Sequence, residues 1–174
     1  MGKSSREGKD VVLAWTKELT ISTVLDIGAG SGTYKKLFAK NKLFPDCVWT
    51  AIEAWQPYID NFGLTSLYNR VINSDVMQVD LQSLAPVDMT FMGDVLEHLS
   101  KQDAVTLVDR VMNMSRYAVI SIPIVHWPQA ERHGNPYEVH VKDDWSDSEV
   151  LETFSKYIKK SHAGEQIGVY LLSK

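Results

Sequence analysis

Apolar and polar positions along this chain fall into two alternating rhythms. Short, nearly unbroken apolar runs of strand length occur at TVLDIG (23–28), CVWTAIE (47–53), RVINSD (70–75), VDMTFMGD (87–94) and RYAVISIP (116–123). Between them, apolar residues recur at helical spacing. Val11, Val12, Trp15 and Leu19 share one face of a helix over 11–19, with Asp10 as its cap. Residues 33–40 predict a second helix with Tyr34, Leu37 and Phe38 inward, and AWQPYIDNF a short one weakened by Pro57. Ala104, Leu107, Val108 and Val111 mark a helix over 100–114. A Ser-Asp-Ser-Glu capping pattern opens a further helix at about 147, and YIKKSHAGEQIGVYLLS closes as two strands around a His-Ala-Gly-Glu turn. Strand and helix alternate five times before that hairpin, which implies a mostly parallel sheet with helices on both faces.

The glycines change the picture from fold to site. VLDIGAGSGTY (24–34) carries Gly28, Gly30 and Gly32 directly after a strand ending near Asp26. Glycine lets a ligand approach the main chain, and the free N–H groups of the next helix face the same spot. In parallel sheets that spot, at the carboxyl end of the strands, is where ligands bind. The third glycine comes one residue too early for the dinucleotide fingerprint G-x-G-x-x-G. A glycine turn alone is as compatible with plain structure as with a ligand. Glu53 at the end of the second strand and Asp75 at the end of the third tilt the balance. Glu53 is suited to a ribose diol and Asp75 to an adenine amino group, although each alone reads equally as a solvated strand end or a cap.

Taken together, these residues resemble a class I S-adenosylmethionine-dependent methyltransferase. VLDIGAGSGTY is similar to that family's first motif, AIEAW to its second, INSDVMQVD to its third and MTFMGDVLEHLS to its fourth, so that residues 20–125 carry the resemblance. It implies a three-layer, Rossmann-like α/β fold, with a mostly parallel seven-stranded sheet and a C-terminal antiparallel hairpin strand. It implies S-adenosyl-L-methionine as cofactor and in-line methyl transfer to an oxygen or nitrogen of a small-molecule acceptor. Asp26, Gly28, Ala29, Gly30 and Gly32 would hold the methionine part, and Glu53 the ribose. Asp75 and Val76 would hold the adenine edge, with Ala54 or Trp55 on its face. Asp94 would border the amino-acid part and the methyl group. Two alternatives remain: a non-catalytic module of the same fold, and a nicotinamide-dependent oxidoreductase. Removing the ribose ligand by Glu53→Ala is expected to weaken cofactor binding and leave the fold intact.

On the acceptor side, His98 follows Asp94 by four residues and is a candidate base, with Glu97 read as its solvated neighbour. The segment from 123 to 145 is long for a connection and is expected to form the acceptor-site loop. It contains His126, Tyr137 and His140 as candidate substrate contacts, His140 being the preferred residue facing the site. The seven-residue spacing of His126, His133 and His140 does not put two rings on one helical turn, so no metal is expected.

The remaining totals narrow the setting. One domain spans the 174 residues, with 1–9 as a flexible tail. A net charge of −4 disfavours nucleic acid as partner. Lysines 35, 36, 40 and 42 are read as a solvated helix face. The single cysteine, Cys47, excludes an internal disulfide, and no apolar stretch is long enough to span a membrane, so a cytoplasmic location is expected.

Overall fold

The computed structural model describes residues 6–174. Five parallel strands are β1 (Thr23–Ile27), β2 (Val48–Glu53), β3 (Arg70–Asn73), β4 (Val87–Gly93) and β5 (Ser115–Pro123); β6 (Ile158–Ala163) and β7 (Ile167–Ser173) complete the sheet. Their order is β3-β2-β1-β4-β5-β7-β6, with β7 antiparallel to both of its neighbours. The helices are α1 (Lys9–Thr16), α2 (Thr33–Lys40), α3 (Gln56–Phe62), α4 (Leu64–Leu67), α5 (Lys101–Met114) and α6 (Asp147–Thr153).

The two-residue period of the strands divides the core between two faces. Val24, Met89, Phe91, Val119, Val169 and Leu171 pack against Val12 of α1, Tyr34 and Phe38 of α2, and Ile59 of α3. Leu25, Met92, Ala118, Ile120, Tyr170 and Leu172 point the other way, to α5 and α6. Both faces are covered, which is why these strands read as continuous apolar runs and not as alternating ones. On the first face an aromatic stack stiffens the floor beneath the glycine loop: Tyr34 lies on Phe91 at 4.4 Å between ring centres, and Trp49 lies on Phe91 at 5.9 Å.

Polar caps set the helix starts. Ser100 accepts from the Asp103 N–H and donates its hydroxyl to the Asp103 carboxylate; Ser146 accepts from the Glu149 N–H. Thus α6 begins at Asp147, as its pattern predicts. The first helix differs from expectation. It starts at Lys9, two residues earlier, behind a left-handed Gly8, and Asp10 does not cap it. The expected tail through residue 9 is also corrected in part. Residues 1–5 lie outside the described residues, whereas the Glu7 carboxylate accepts the N–H groups of Glu165, Gln166 and Ile167 in the β6–β7 turn. Lys9 is only 5% exposed and donates to the Tyr34 hydroxyl at 3.1 Å. Among the described residues no helix is long and apolar enough to cross a membrane.

Candidate functional site

The main chain turns sharply where β1 ends. Gly28 and Gly30 have φ of +64° and +50°, a region that side chains rarely adopt. A Cβ on Gly30 would meet only the Gly28 carbonyl oxygen, at 3.8 Å, so the bare backbone faces open space. Gly32 serves a different end. A Cβ there would reach Leu67 at 2.4 Å, and Gly32 lines neither of the two cavities over this turn; it lets α2 approach α4, a packing role in place of the expected ligand contact.

Two adjoining cavities open over this turn, of about 170 and 260 Å³. Both are lined by Gly28, Gly30, Tyr58, Asp94, His98 and Glu138. The first adds Asp26, Ala29, Glu97 and His140, and the second adds Glu53, Ala54, Asp75 and Val76. The carboxylates at the ends of β1, β2 and β3 are thus divided between two cavities that share six lining residues, Asp26 on the first and Glu53 and Asp75 on the second. Trp55 lines neither cavity; its N–H donates to Glu53 instead.

Each acid is held by the fold. Asp26 is buried and accepts the Tyr68 hydroxyl at 2.5 Å. Burial pushes its carboxyl from 3.8 up to about 7, with Glu53 adding repulsion and the Tyr68 hydrogen bond and Lys9 opposing. Glu53 accepts the Gly30 N–H at 2.8 Å and the Trp55 N–H at 2.9 Å, so it ties the glycine loop to the start of α3. Burial raises its pKa against those two bonds. Asp75 caps the turn after β3 through the Met77 N–H at 2.9 Å and still lines the second cavity.

Asp94 follows β4 with φ of +58° and leads into a 3-10 turn, Leu96–His98. That turn buries Glu97, which is 2% exposed, so the expectation of a solvated residue is overturned. Burial, with Asp94 nearby, holds its carboxyl well above the usual range. His98 is pushed down by burial, against its hydrogen bond to Val139.

The long loop folds over both cavities. Its main chain is pinned where the His140 N–H donates to the Gln129 carbonyl at 3.0 Å and the Val141 N–H to the Glu97 carbonyl at 2.9 Å. Tyr58 on α3 donates to Glu138 at 2.8 Å, an anchor that carries no sequence signature. His140 lines the first cavity. His126 does not: its side chain is 69% exposed, lies 3.9 Å from Asp143 and lines neither cavity. Tyr137 lines the second cavity beside Glu53 and Asp75 and is 45% exposed, so it sits away from the first cavity where an acceptor contact was expected.

Neither a protein-family model nor a curated protein sequence matches the chain. Solved structures do. The N-terminal domain of EvdMO1, with S-adenosylhomocysteine bound, is similar with a TM-score of 0.69 at 12% identity, over 98% of this chain and 83% of that one. An S-adenosylmethionine-dependent methyltransferase from Clostridium acetobutylicum gives 0.67 at 12% identity, over 94% of this chain and 88% of that one. The small RNA methyltransferase HEN1 gives 0.69 at 14% identity, over all of this chain (100%) and 26% of that one. With its β3-β2-β1-β4-β5-β7-β6 sheet, the chain has the fold of the class I S-adenosylmethionine-dependent methyltransferases.

Proposed function

We propose that the chain is an S-adenosylmethionine-dependent methyltransferase acting on an oxygen or nitrogen of a small-molecule acceptor. The observation that carries this reading is the acid-rich lining of the crevice that the two cavities form, in which burial favours the protonated forms of Asp26, Glu53 and Glu97 until a cationic ligand meets them. Six carboxyl groups line it (Asp26, Glu53, Asp75, Asp94, Glu97 and Glu138) against one guanidinium, Arg132. S-adenosylmethionine brings a sulfonium and an ammonium, which such a lining favours; a dinucleotide brings a pyrophosphate, which it repels. The antiparallel β7 between β5 and β6 also departs from the 3-2-1-4-5-6 order of dinucleotide-binding sheets.

The residues fit the cofactor. Gly28 and Gly30 offer bare main chain and line both cavities, Asp26 would meet the amino-acid part, Glu53 would offer lone pairs to the ribose hydroxyls, and Ala54, Asp75 and Val76 would hold the base. Bound there, the cofactor supplies a methyl group already activated by its sulfonium. The protein then has to align an acceptor and exclude water, and alignment alone contributes about 7–11 kcal/mol to barrier lowering. Asp94, His98 and His140 border the first cavity and are the groups available to orient the acceptor or take its proton.

Calorimetric titration with S-adenosylhomocysteine, set beside NAD, tests the cofactor. Binding of the first and not of the second is expected; the reverse overturns the reading. Release of S-adenosylhomocysteine from S-adenosylmethionine across a panel of phenols, alcohols and amines then tests turnover. Tight cofactor binding with no turnover on any acceptor favours a non-catalytic module.

A further inference from the structure

We propose that Glu97, His98 and His140 form a binding site for one divalent transition-metal cation in the wall of the first cavity. One donor atom from each of the three lies within 4.8 Å of the others. Donors bound at about 2.1 Å to one tetrahedral ion lie about 3.4 Å apart, so a pair 4.8 Å apart has to close by about 1.4 Å, shared between two side chains. Small rotations of both cover that distance.

Three independent features prepare these groups for a cation. The first is Glu97. Its Oε2 is buried and has no hydrogen-bond partner among the described residues, although its side chain lines the cavity. Such an atom is costly to leave unmade, and a cation would satisfy it. The second is the state of the imidazoles. His98 Nδ1 lies 3.0 Å from the Val139 carbonyl oxygen and His140 Nδ1 lies 2.6 Å from that of Trp127. A carbonyl only accepts, so each Nδ1 carries the proton and each Nε2 keeps its lone pair. A metal-binding histidine is typically held in this way, its second nitrogen donating to a carbonyl that fixes the ring. The two rings stand edge to face at 4.8 Å, at 73°.

The third feature is the clamp that brings the two segments together. The Glu97 carbonyl accepts the N–H groups of Val141 and Lys142, at 2.9 and 3.0 Å. The turn after β4 and the loop after β5 are thus fixed to each other on either side of the cluster. The expectation of no metal rests on the spacing of the loop histidines 126, 133 and 140 and on the lack of a cysteine or acidic cluster beside them; the group that matters joins His140 to Glu97 and His98 across 42 residues of chain.

Two imidazoles and one carboxylate suit Zn²⁺, Co²⁺, Mn²⁺ or Fe²⁺ better than Ca²⁺ or Mg²⁺. Three protein ligands leave at least one position open, the arrangement of catalytic sites and not of closed structural ones. If the proposed methyl transfer holds, that position faces the acceptor and selects acceptors with an oxygen or nitrogen lone pair. This last step alone rests on the functional reading; the cation site does not.

The test uses the metal alone. Chelator-stripped protein is titrated with Zn²⁺ by calorimetry and with Co²⁺ by visible absorption, without cofactor. One equivalent is expected to bind, with a Co²⁺ spectrum of low coordination number. Glu97→Gln and His140→Ala, each checked for an unchanged circular dichroism spectrum, are expected to weaken Zn²⁺ by at least about 100-fold. His126→Ala, on the exposed part of the same loop, should leave it unchanged and controls for surface histidines. Absence of binding, or affinity unaltered in Glu97→Gln and His140→Ala, overturns the proposal. Because His140 is only partly buried, on a loop outside the core, its variant remains informative if Glu97→Gln fails to fold. S-adenosylhomocysteine affinity, measured in parallel without metal, separates this failure from a failure of the cofactor reading.

Discussion

Replacing Asp26 by Asn should make the free protein more stable at neutral and alkaline pH and make it bind cofactor worse. Burial lifts this carboxyl from 3.8 to about 7 in the folded chain, despite the Tyr68 hydrogen bond. A folded-state pKa above the unfolded one means that the native state holds its proton more tightly. The stabilisation from that proton is fully present below about pH 4 and is lost as pH rises to about 7. The displacement is about 3 pH units at about 1.4 kcal/mol each, so the ionised group costs the fold about 4 kcal/mol at pH 8, as an upper bound. Asparagine has the same shape, keeps an oxygen for the Tyr68 hydroxyl and never ionises. Urea unfolding of both proteins from pH 4 to pH 8 measures the difference. Asp26→Asn should match the natural protein to within about 1 kcal/mol at pH 4 and gain several kcal/mol by pH 8. The affinity for S-adenosylmethionine should show the opposite sign. In the natural protein it should rise with pH through about 7, as the carboxylate forms to meet a cationic ligand, and in the variant that rise should vanish. A stability difference that does not change with pH would refute the reasoning, whatever its size.

Three further outcomes follow from the same geometry. Glu53→Ala strips the acceptor from the Gly30 and Trp55 N–H groups, so urea unfolding should register a loss of about 1–3 kcal/mol for each orphaned donor, in addition to weaker cofactor binding; this revises the expectation that the fold would be untouched, and Glu53→Gln, which keeps one acceptor oxygen, should lose less stability while still weakening binding on calorimetry. Lys9→Met removes a buried cation that attracts the Asp26 carboxylate, so the pH midpoint of cofactor affinity should move above about 7, read from titrations across pH. Tyr58→Phe cuts the hydrogen bond to Glu138 that holds the loop to α3, and stopped-flow fluorescence should show S-adenosylhomocysteine leaving several-fold faster.

The strands were legible because central parallel strands are apolar on both faces, and the helices because their caps and spacing are local properties. The glycine turn and the strand-end acids Glu53 and Asp75 were legible for a related reason: the chemistry sits at fixed offsets from elements that can be located. What escaped depends on contacts between distant segments. Glu97 reads as a polar residue in a turn, and only the loop folding back over it, through the Val141 and Lys142 N–H groups, shuts out water. In sequence His126 ranks below His140 but remains a candidate contact; the His140 main-chain bond to Gln129 and its ring bond to the Trp127 carbonyl turn that residue inward, while His126 stays at the surface. Lys9 looks like part of a solvated leader, and Tyr34 with Ser121 draws it inside. Gly32 matched a ligand-loop pattern, whereas its bareness makes room for Leu67.

The antiparallel strand β7 lies between β5 and β6, although the ribosome makes it after both. During synthesis the outer edge of β5 must therefore wait, with its main-chain groups bare, until Ile167–Ser173 emerges to slot in beside it. A nascent chain halted before that point would offer an apolar edge to any neighbouring strand, so this stretch is where chaperone capture or misassembly would concentrate.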